Sequence, residues 1–146
     1  MRIFIAGAVS VASDKQLNKY AVYKNIITES VRNAEITFPD DIWAYREKCI
    51  RENPEDTKLE IDKMMVDYDL QCVKSSDLIV CDISQQSTGM GIELGVAYEH
   101  KIKIIFCYER GSYVSNMLTG SFGNFPFIEY DTLNDLSTKL KSVLAE

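Results

Sequence analysis

From Ser84 to Gly95 the chain reads Ser-Gln-Gln-Ser-Thr-Gly-Met-Gly-Ile-Glu-Leu-Gly, and this stretch gathers residue types able to do chemistry. Ser84, Gln85, Gln86, Ser87 and Thr88 supply small polar groups just ahead of an expected helix start. Gly89 and Gly91 allow a ligand close to the backbone, and the first N–H groups of a helix attract anions. Glu93, read as a first-turn residue, is expected to be held ionised by the positive helix end, which suits an attacking carboxylate better than an acid. The same residues would also make an ordinary turn and cap. They match neither G-x-G-x-x-G nor a P-loop, because the spacing differs and no Gly-Lys-Ser/Thr occurs.

The elements that must position this stretch emerge from the hydrophobic pattern. Arg2 to Gly7 is a compact apolar run closing on glycine, as expected of a central parallel strand feeding a loop. Ser13 and Asp14 offer N-caps to a helix whose stripe is read as Leu17, Tyr20, Ala21, Ile27 and Val31. Ile36 to Phe38 reads as a short second strand stopped by Pro39, and Asp40 to Asn53 as a helical excursion. Thr57, with Glu60 at the capping-box position, starts a helix with the stripe Ile61, Met64, Met65, Tyr68 and Cys72. Leu78 to Ile83, Ile102 to Tyr108 and Phe127 to Tyr130 are further strands. Helices are expected from Gly89 to His100, in a short piece around Tyr113 to Leu118, and from Leu133 to Leu144. The alternation predicts an α/β fold: a flavodoxin-like, Rossmann-like, doubly wound parallel sheet of five strands in one domain over residues 1–146. Ligands then belong beyond the carboxyl ends of the strands, in the loops Gly7 to Ser13, Ser84 to Gly91 and Tyr108 to Met117.

Composition narrows the function classes. A formal charge of −6 argues against a nucleic-acid backbone as partner, while leaving room for a pocket that takes one phosphate. Cys49, Cys72, Cys81 and Cys107 lie far apart and His100 is the single histidine, so no structural metal is expected. Nothing calls for a cofactor. The cysteines suit a reducing cytoplasm, and the short apolar run at Ile3 to Val11 is read as a strand, with no signal peptide or membrane span expected.

The segment Ser76-Asp77-Leu-Ile-Val-Cys-Asp82-Ile-Ser84-Gln-Gln-Ser87-Thr-Gly89-Met-Gly91-Ile-Glu93-Leu-Gly95 resembles the nucleoside 2-deoxyribosyltransferase superfamily, and within it the 2′-deoxynucleoside 5′-phosphate N-hydrolases. The likeness extends to Asp69-Leu70, to Ser115-Asn116-Met117-Leu118-Thr119-Gly120 and to the first strand, leaving out Asp40 to Met64. It implies a homodimer with active sites at or near the subunit interface. By position it implies Glu93 as nucleophile at the anomeric carbon and Asp69 as general acid/base, with Asp67 as a decoy two residues away. Phe4, Gly7, Ser87, Gly89, Gly91, Ser115 and Met117 would hold the substrate, Ser87 and Ser115 taking its 5′-phosphate.

The chemistry is consistent with two carboxylates, one attacking and one exchanging a proton with the leaving group. The sequence departs from the family at two places. Relatives that prefer deoxyribose carry Tyr in the first strand, whereas Phe4 stands here, as in the related CMP N-glycosidases, and leaves room for a ribose 2′-OH if it is not simply core. The family's Ser and Arg in the next loop are replaced by Ala8, Val9, Ser10 and Val11; Arg110 is a substitute for that charge or a plain surface residue. Trp43 and Tyr45 are read as base-stacking or lid residues or as packing, and His100 as structural or solvated. The expected function is hydrolysis of the N-glycosidic bond of ribo- or deoxyribonucleoside 5′-monophosphates through a glycosyl-Glu93 intermediate. Base exchange by a deoxyribosyltransferase and a non-catalytic nucleotide sensor on the same fold stand as alternatives.

Overall fold

The computed structural model describes residues 1–8 and 14–146, with only the backbone of 14–17. The described strands are β1 (Arg2–Ala6), β2 (Glu35–Thr37), β3 (Leu78–Asp82), β4 (Lys103–Glu109) and β5 (Phe127–Tyr130). They form one parallel sheet in the order β2-β1-β3-β4-β5. Six helices complete the described chain: α1 (Asp14–Ser30), α2 (Pro39–Glu52), α3 (Lys58–Lys74), α4 (Thr88–Glu99), α5 (Asn116–Phe122) and α6 (Leu133–Leu144). The doubly wound five-stranded α/β sheet read from the sequence is therefore the observed one.

Side chains alternate across the sheet, as strands require. Ile3, Ile5, Leu78, Val80, Ile105, Cys107, Ile128 and Tyr130 pack under α1 and α6. Phe4, Ala6, Ile79, Cys81, Ile104 and Phe106 pack under α2, α3, α4 and α5. The chain leaves β1 toward α1 on one face and β3 toward α4 on the other. The strand order thus reverses between these neighbours, and a crevice opens at their carboxyl ends.

Several local readings change. Pro39 does not end a strand; it is the first residue of α2, where its missing N–H costs nothing, and the Phe38 N–H is taken by Asp41 Oδ2 at 2.7 Å. Thr57 and Glu60 form the expected capping box of α3. On α1, Ala21 is exposed, while Tyr20, Tyr23, Ile26 and Ile27 are buried, and so is Lys19. Ser13 lies outside the described residues.

Lys19 is inside because of Asp82, the last residue of β3, which is itself 3% exposed. Asp82 Oδ2 accepts from Tyr23 Oη at 2.8 Å and Tyr130 Oη at 3.0 Å, and Lys19 Nζ lies 3.1 Å away. Asp82 Oδ1 accepts from the Ser84 N–H at 3.0 Å, and Ser84 Oγ accepts from the Glu109 N–H at 2.9 Å. Burial works against the Lys19 ammonium, but Asp82 outweighs it and holds the group above the ordinary lysine range. Burial, then Asp82, pushes the Tyr130 hydroxyl up to about 12. This charge-assisted cluster ties α1, β5 and the end of β4 to the start of the Ser84–Ser87 loop.

Removing its acceptor leaves a buried ammonium with only the half-exposed Glu109, at 3.1 Å, and two buried hydroxyls without their carboxylate. Asp82→Ala is accordingly expected to cost about 3–5 kcal/mol in urea unfolding, against about 1 kcal/mol for Tyr130→Phe. Equal small losses in both variants would show that the cluster does not brace this edge.

Candidate active site

The carboxyl end of β1 forms the floor of a cleft of about 150 Å³. Phe4 to Gly7 line the floor, Met65, Val66, Asp69 and Leu70 of α3 with Pro39, Ile42 and Trp43 of α2 form one wall, and Ser87, Gly89, Met90, Ile92 and Glu93 the other. Apolar surface dominates, and the few polar groups converge.

Both carboxylates enter the cleft for the same reason. Ile61, Met65, Asp69 and Val73 recur at four-residue spacing on α3, so Asp69 occupies a position on the sheet-facing stripe. Met90, Glu93, Leu94 and Ala97 make the corresponding stripe of α4. Asp67, off the stripe, is exposed. An acid standing on an apolar helical stripe is a signal in the sequence itself, and it singles out Asp69 over Asp67 without any resemblance.

The Asp69 and Glu93 carboxyls face each other within hydrogen-bonding reach. The buried Asp69 Oδ1 and Glu93 Oε2 receive no donor from the described residues. Burial raises the affinity of both groups for protons; the Asp69 charge raises that of Glu93 further, while the shared bond partly offsets the rise at Asp69. This corrects the expectation that the helix end keeps Glu93 ionised. Counting from Thr88, Glu93 lies in the second turn of α4, and the first turn carries no acid. The helix field fades within one turn, so desolvation and the neighbouring carboxylate prevail. The pair titrates as a unit.

The remaining expected substrate residues divide. Phe4, Gly7, Ser87 and Gly89 line the cleft. Ser87 is the N-cap of α4, accepting from the Met90 N–H. Gly7 has a further constraint, since a Cβ there would overlap the Tyr20 hydroxyl. Gly91 is exposed, with open space at its Cα, and is not among the residues lining the cleft. Ser115 and Met117 are also outside it: Ser115 caps α5 through the Met117 N–H at 3.2 Å, and the Met117 side chain is 76% exposed.

Arg110 is exposed and paired with Asp131 at 2.9 Å and Glu129 at 3.4 Å, away from the cleft. Tyr45 stacks on Tyr68 with centroids 4.0 Å apart and belongs to the α2–α3 packing, whereas Trp43 does face the cleft. His100 is an exposed helix cap. Of the loop that departs from the family, Ala8 is buried and residues 9–13 lie outside the described residues. No group of potential ligands is arranged to hold a metal ion among the described residues.

Comparison with known proteins fits this arrangement. Over 94 residues the chain is 35% identical to a protein of Syntrophotalea carbinolica named 2′-deoxynucleoside 5′-phosphate N-hydrolase 1, covering 63% of this chain and 66% of that one. Over 72 residues it is 31% identical to the 5-hydroxymethyl-dUMP N-hydrolase of Homo sapiens, covering 48% and 41%. The chain is a sequence relative of the nucleotide N-hydrolases. It spans less than two thirds of the length of these N-hydrolase relatives. The structure of the Clostridium botulinum CMP N-glycosidase superposes with a TM-score of 0.67 at 18% identity over 98% of this chain and 99% of that one. A 2-deoxyribosyltransferase of Bacillus psychrosaccharolyticus gives 0.67 at 16% over 99% and 96%. The fold is that of the nucleoside 2-deoxyribosyltransferase-like proteins. No family model matches the chain.

The carboxylate pair has a stability signature with a definite sign. Both groups bind protons more tightly when folded than unfolded. Their contribution is therefore fully present below the ordinary carboxylate range and lost as pH rises through the raised folded values. Glu93→Gln removes the second titrating acid. At pH 8 it is expected to melt about 2–4 °C above the natural protein, equivalent to about 1 kcal/mol, with the gap closing toward pH 4 in matched thermal scans. A gap independent of pH would mean that the fold does not raise the proton affinity of the pair.

Proposed function

We propose that this N-hydrolase relative hydrolyses the N-glycosidic bond of nucleoside 5′-monophosphates, releasing free base and sugar 5-phosphate. The observation that carries the reading is the pair Asp69 and Glu93, held by facing helices in one apolar cleft where burial raises the proton affinity of both. Bound substrate draws a proton to Asp69, which gives it to the departing base nitrogen. Glu93, then ionised, attacks the anomeric carbon as the C–N bond breaks. Asp69, now a base, takes a proton from water; the hydroxide displaces Glu93 from the sugar and restores the pair.

Asp69 Oδ1 and Glu93 Oε2, without a donor among the described residues, support a sugar at this point, because sugar hydroxyls would supply one. Phe4, 2% exposed and without a hydroxyl, leaves these oxygens unclaimed from the floor, so both ribose and 2-deoxyribose are admitted. Ser87 and the amides at the start of α4 suit the 5′-phosphate.

We assign the working unit as a homodimer of the single 1–146 domain. Thr88–Glu99 is apolar on nearly every face, yet Gly91, Ile92, Gly95 and Tyr98 are exposed in one chain, as on a helix awaiting a second neighbour. Such a partner would supply Ser115 and Met117 to the cleft they do not reach in their own chain. The reading places the enzyme in the cytoplasm, supported by four free cysteines. No helix among the described residues is long and apolar enough to cross a membrane.

Chromatography of reactions with a panel of ribo- and deoxynucleoside monophosphates is expected to show stoichiometric free base, with Glu93→Ala slower by at least about 10³-fold. Undiminished release in that variant would remove Glu93 from the chemistry, and formation of a new nucleoside when a second base is added would mean transfer instead. In the dimer, mixing Glu93→Ala with Ser115→Ala chains is expected to restore part of the activity that each lacks alone at limiting substrate. No recovery after subunit exchange would place Ser115 outside the partner's site.

A further inference from the structure

The proton route fixes which wall the base must face. Asp69 can protonate a departing base only if that base lies on the α3 side of the cleft, where its neighbours are Met65, Val66, Ile42 and Trp43. Apart from Asp69, none of these residues carries a side-chain oxygen, and the sole hydrogen-bonding group among their side chains is the indole N–H of Trp43. Trp43 is 40% exposed although it lines the cleft, so an aromatic face remains uncovered there. Its neighbour Ile42, 8% exposed, anchors α2 against the core and holds that face in place.

Resting on the proposed function, we propose that the base is held by stacking on Trp43 and by the shape of the Ile42, Met65 and Val66 wall, and that its hydrogen-bonding edge is not read. Every nucleobase has a π-face, and stacking on an aromatic side chain tolerates any of them. A site that distinguished bases by their edges would place amide, hydroxyl or backbone partners opposite that edge, where an unmatched base would leave them unpaired. The implied substrate class is nucleoside monophosphates chosen by the size and planarity of the base, with Asp69 as the one side-chain oxygen on that wall among the described residues.

Trp43 is the one tryptophan of the chain, so its fluorescence reports on this wall alone. Glu93→Gln protein, in which turnover is blocked, is titrated with AMP, CMP and UMP, with ribose 5-phosphate as the baseless control. Quenching by all three nucleotides at similar concentrations, and none by ribose 5-phosphate, is expected. In the natural background Trp43→Ala is expected to raise KM by about 10- to 100-fold with kcat little changed, and Trp43→Phe to recover most of the loss. Turnover without quenching, or affinities more than about 100-fold apart for bases of similar size such as cytosine and uracil, would overturn the stacking proposal and leave the proposed hydrolysis standing. Quenching without base release in the natural protein would do the reverse.

Discussion

Two acids held against each other in an apolar cleft are the constraint around which the rest of this molecule is arranged. Asp69 and Glu93 take helix positions that the pattern of Ile61, Met65 and Val73 on α3, and of Met90, Leu94 and Ala97 on α4, would assign to hydrocarbon. Burial disfavours charge on both, and the Asp69 charge disfavours it further on Glu93, so both groups hold protons more tightly than in water. An arrangement of this kind persists only if its surroundings cannot relax to hydrate it. The sheet beneath, the α2–α3 packing and the Asp82 cluster on the opposite face all limit that relaxation.

The contrast between the two buried acidic systems separates structure from site. Asp82 receives two tyrosine hydroxyls, the Ser84 N–H and the Lys19 ammonium, and its carboxylate has no unmet demand. Among the described residues, Asp69 Oδ1 and Glu93 Oε2 are buried without a donor. Satisfied networks rigidify, while unsatisfied ones with raised proton affinity mark places where a ligand completes the bonding. The two lie on opposite faces of the sheet near the same edge. The firm cluster fixes the start of the loop that ends at Ser87, and thereby one margin of the cleft.

Much of this is legible in the sequence, for identifiable reasons. Buried parallel strands are continuous apolar runs, so Leu78–Asp82 and Phe127–Tyr130 stand out, and the capping box at Thr57 carries its own local signature. Pro39 misleads because proline both closes strands and opens helices, and only the helical pattern from Asp40 onward separates the two roles. The α1 stripe misleads because Lys19 and Tyr23 are polar by type yet buried by virtue of Asp82, a partner about sixty residues away. Glu93 is legible as a residue but not in its raised proton affinity, which comes from burial and from Asp69 on the facing helix, a neighbour that only the fold supplies. Ser115, Met117 and Gly91 cannot be tied to the cleft from a single chain, because in the single chain they do not reach it.

The raised proton affinity of the pair also bears on how such a cleft would accept the phosphorylated substrate of the proposed function. The chain carries a formal charge of −6, and among the described residues no lysine or arginine lines the cleft. A phosphate monoester approaching two ionised carboxylates in a low-dielectric crevice would meet strong repulsion with no cation to offset it. Because burial raises the proton affinity of both carboxyls, that repulsion is weaker than two full charges would give, and under the proposed reading neutral donors such as the Ser87 hydroxyl and the first-turn amides of α4 would offset it at the far end of the sugar. On the same reading, burial would serve substrate entry and bond cleavage together: it lowers the charge that the anion meets and keeps a proton within reach of the departing base.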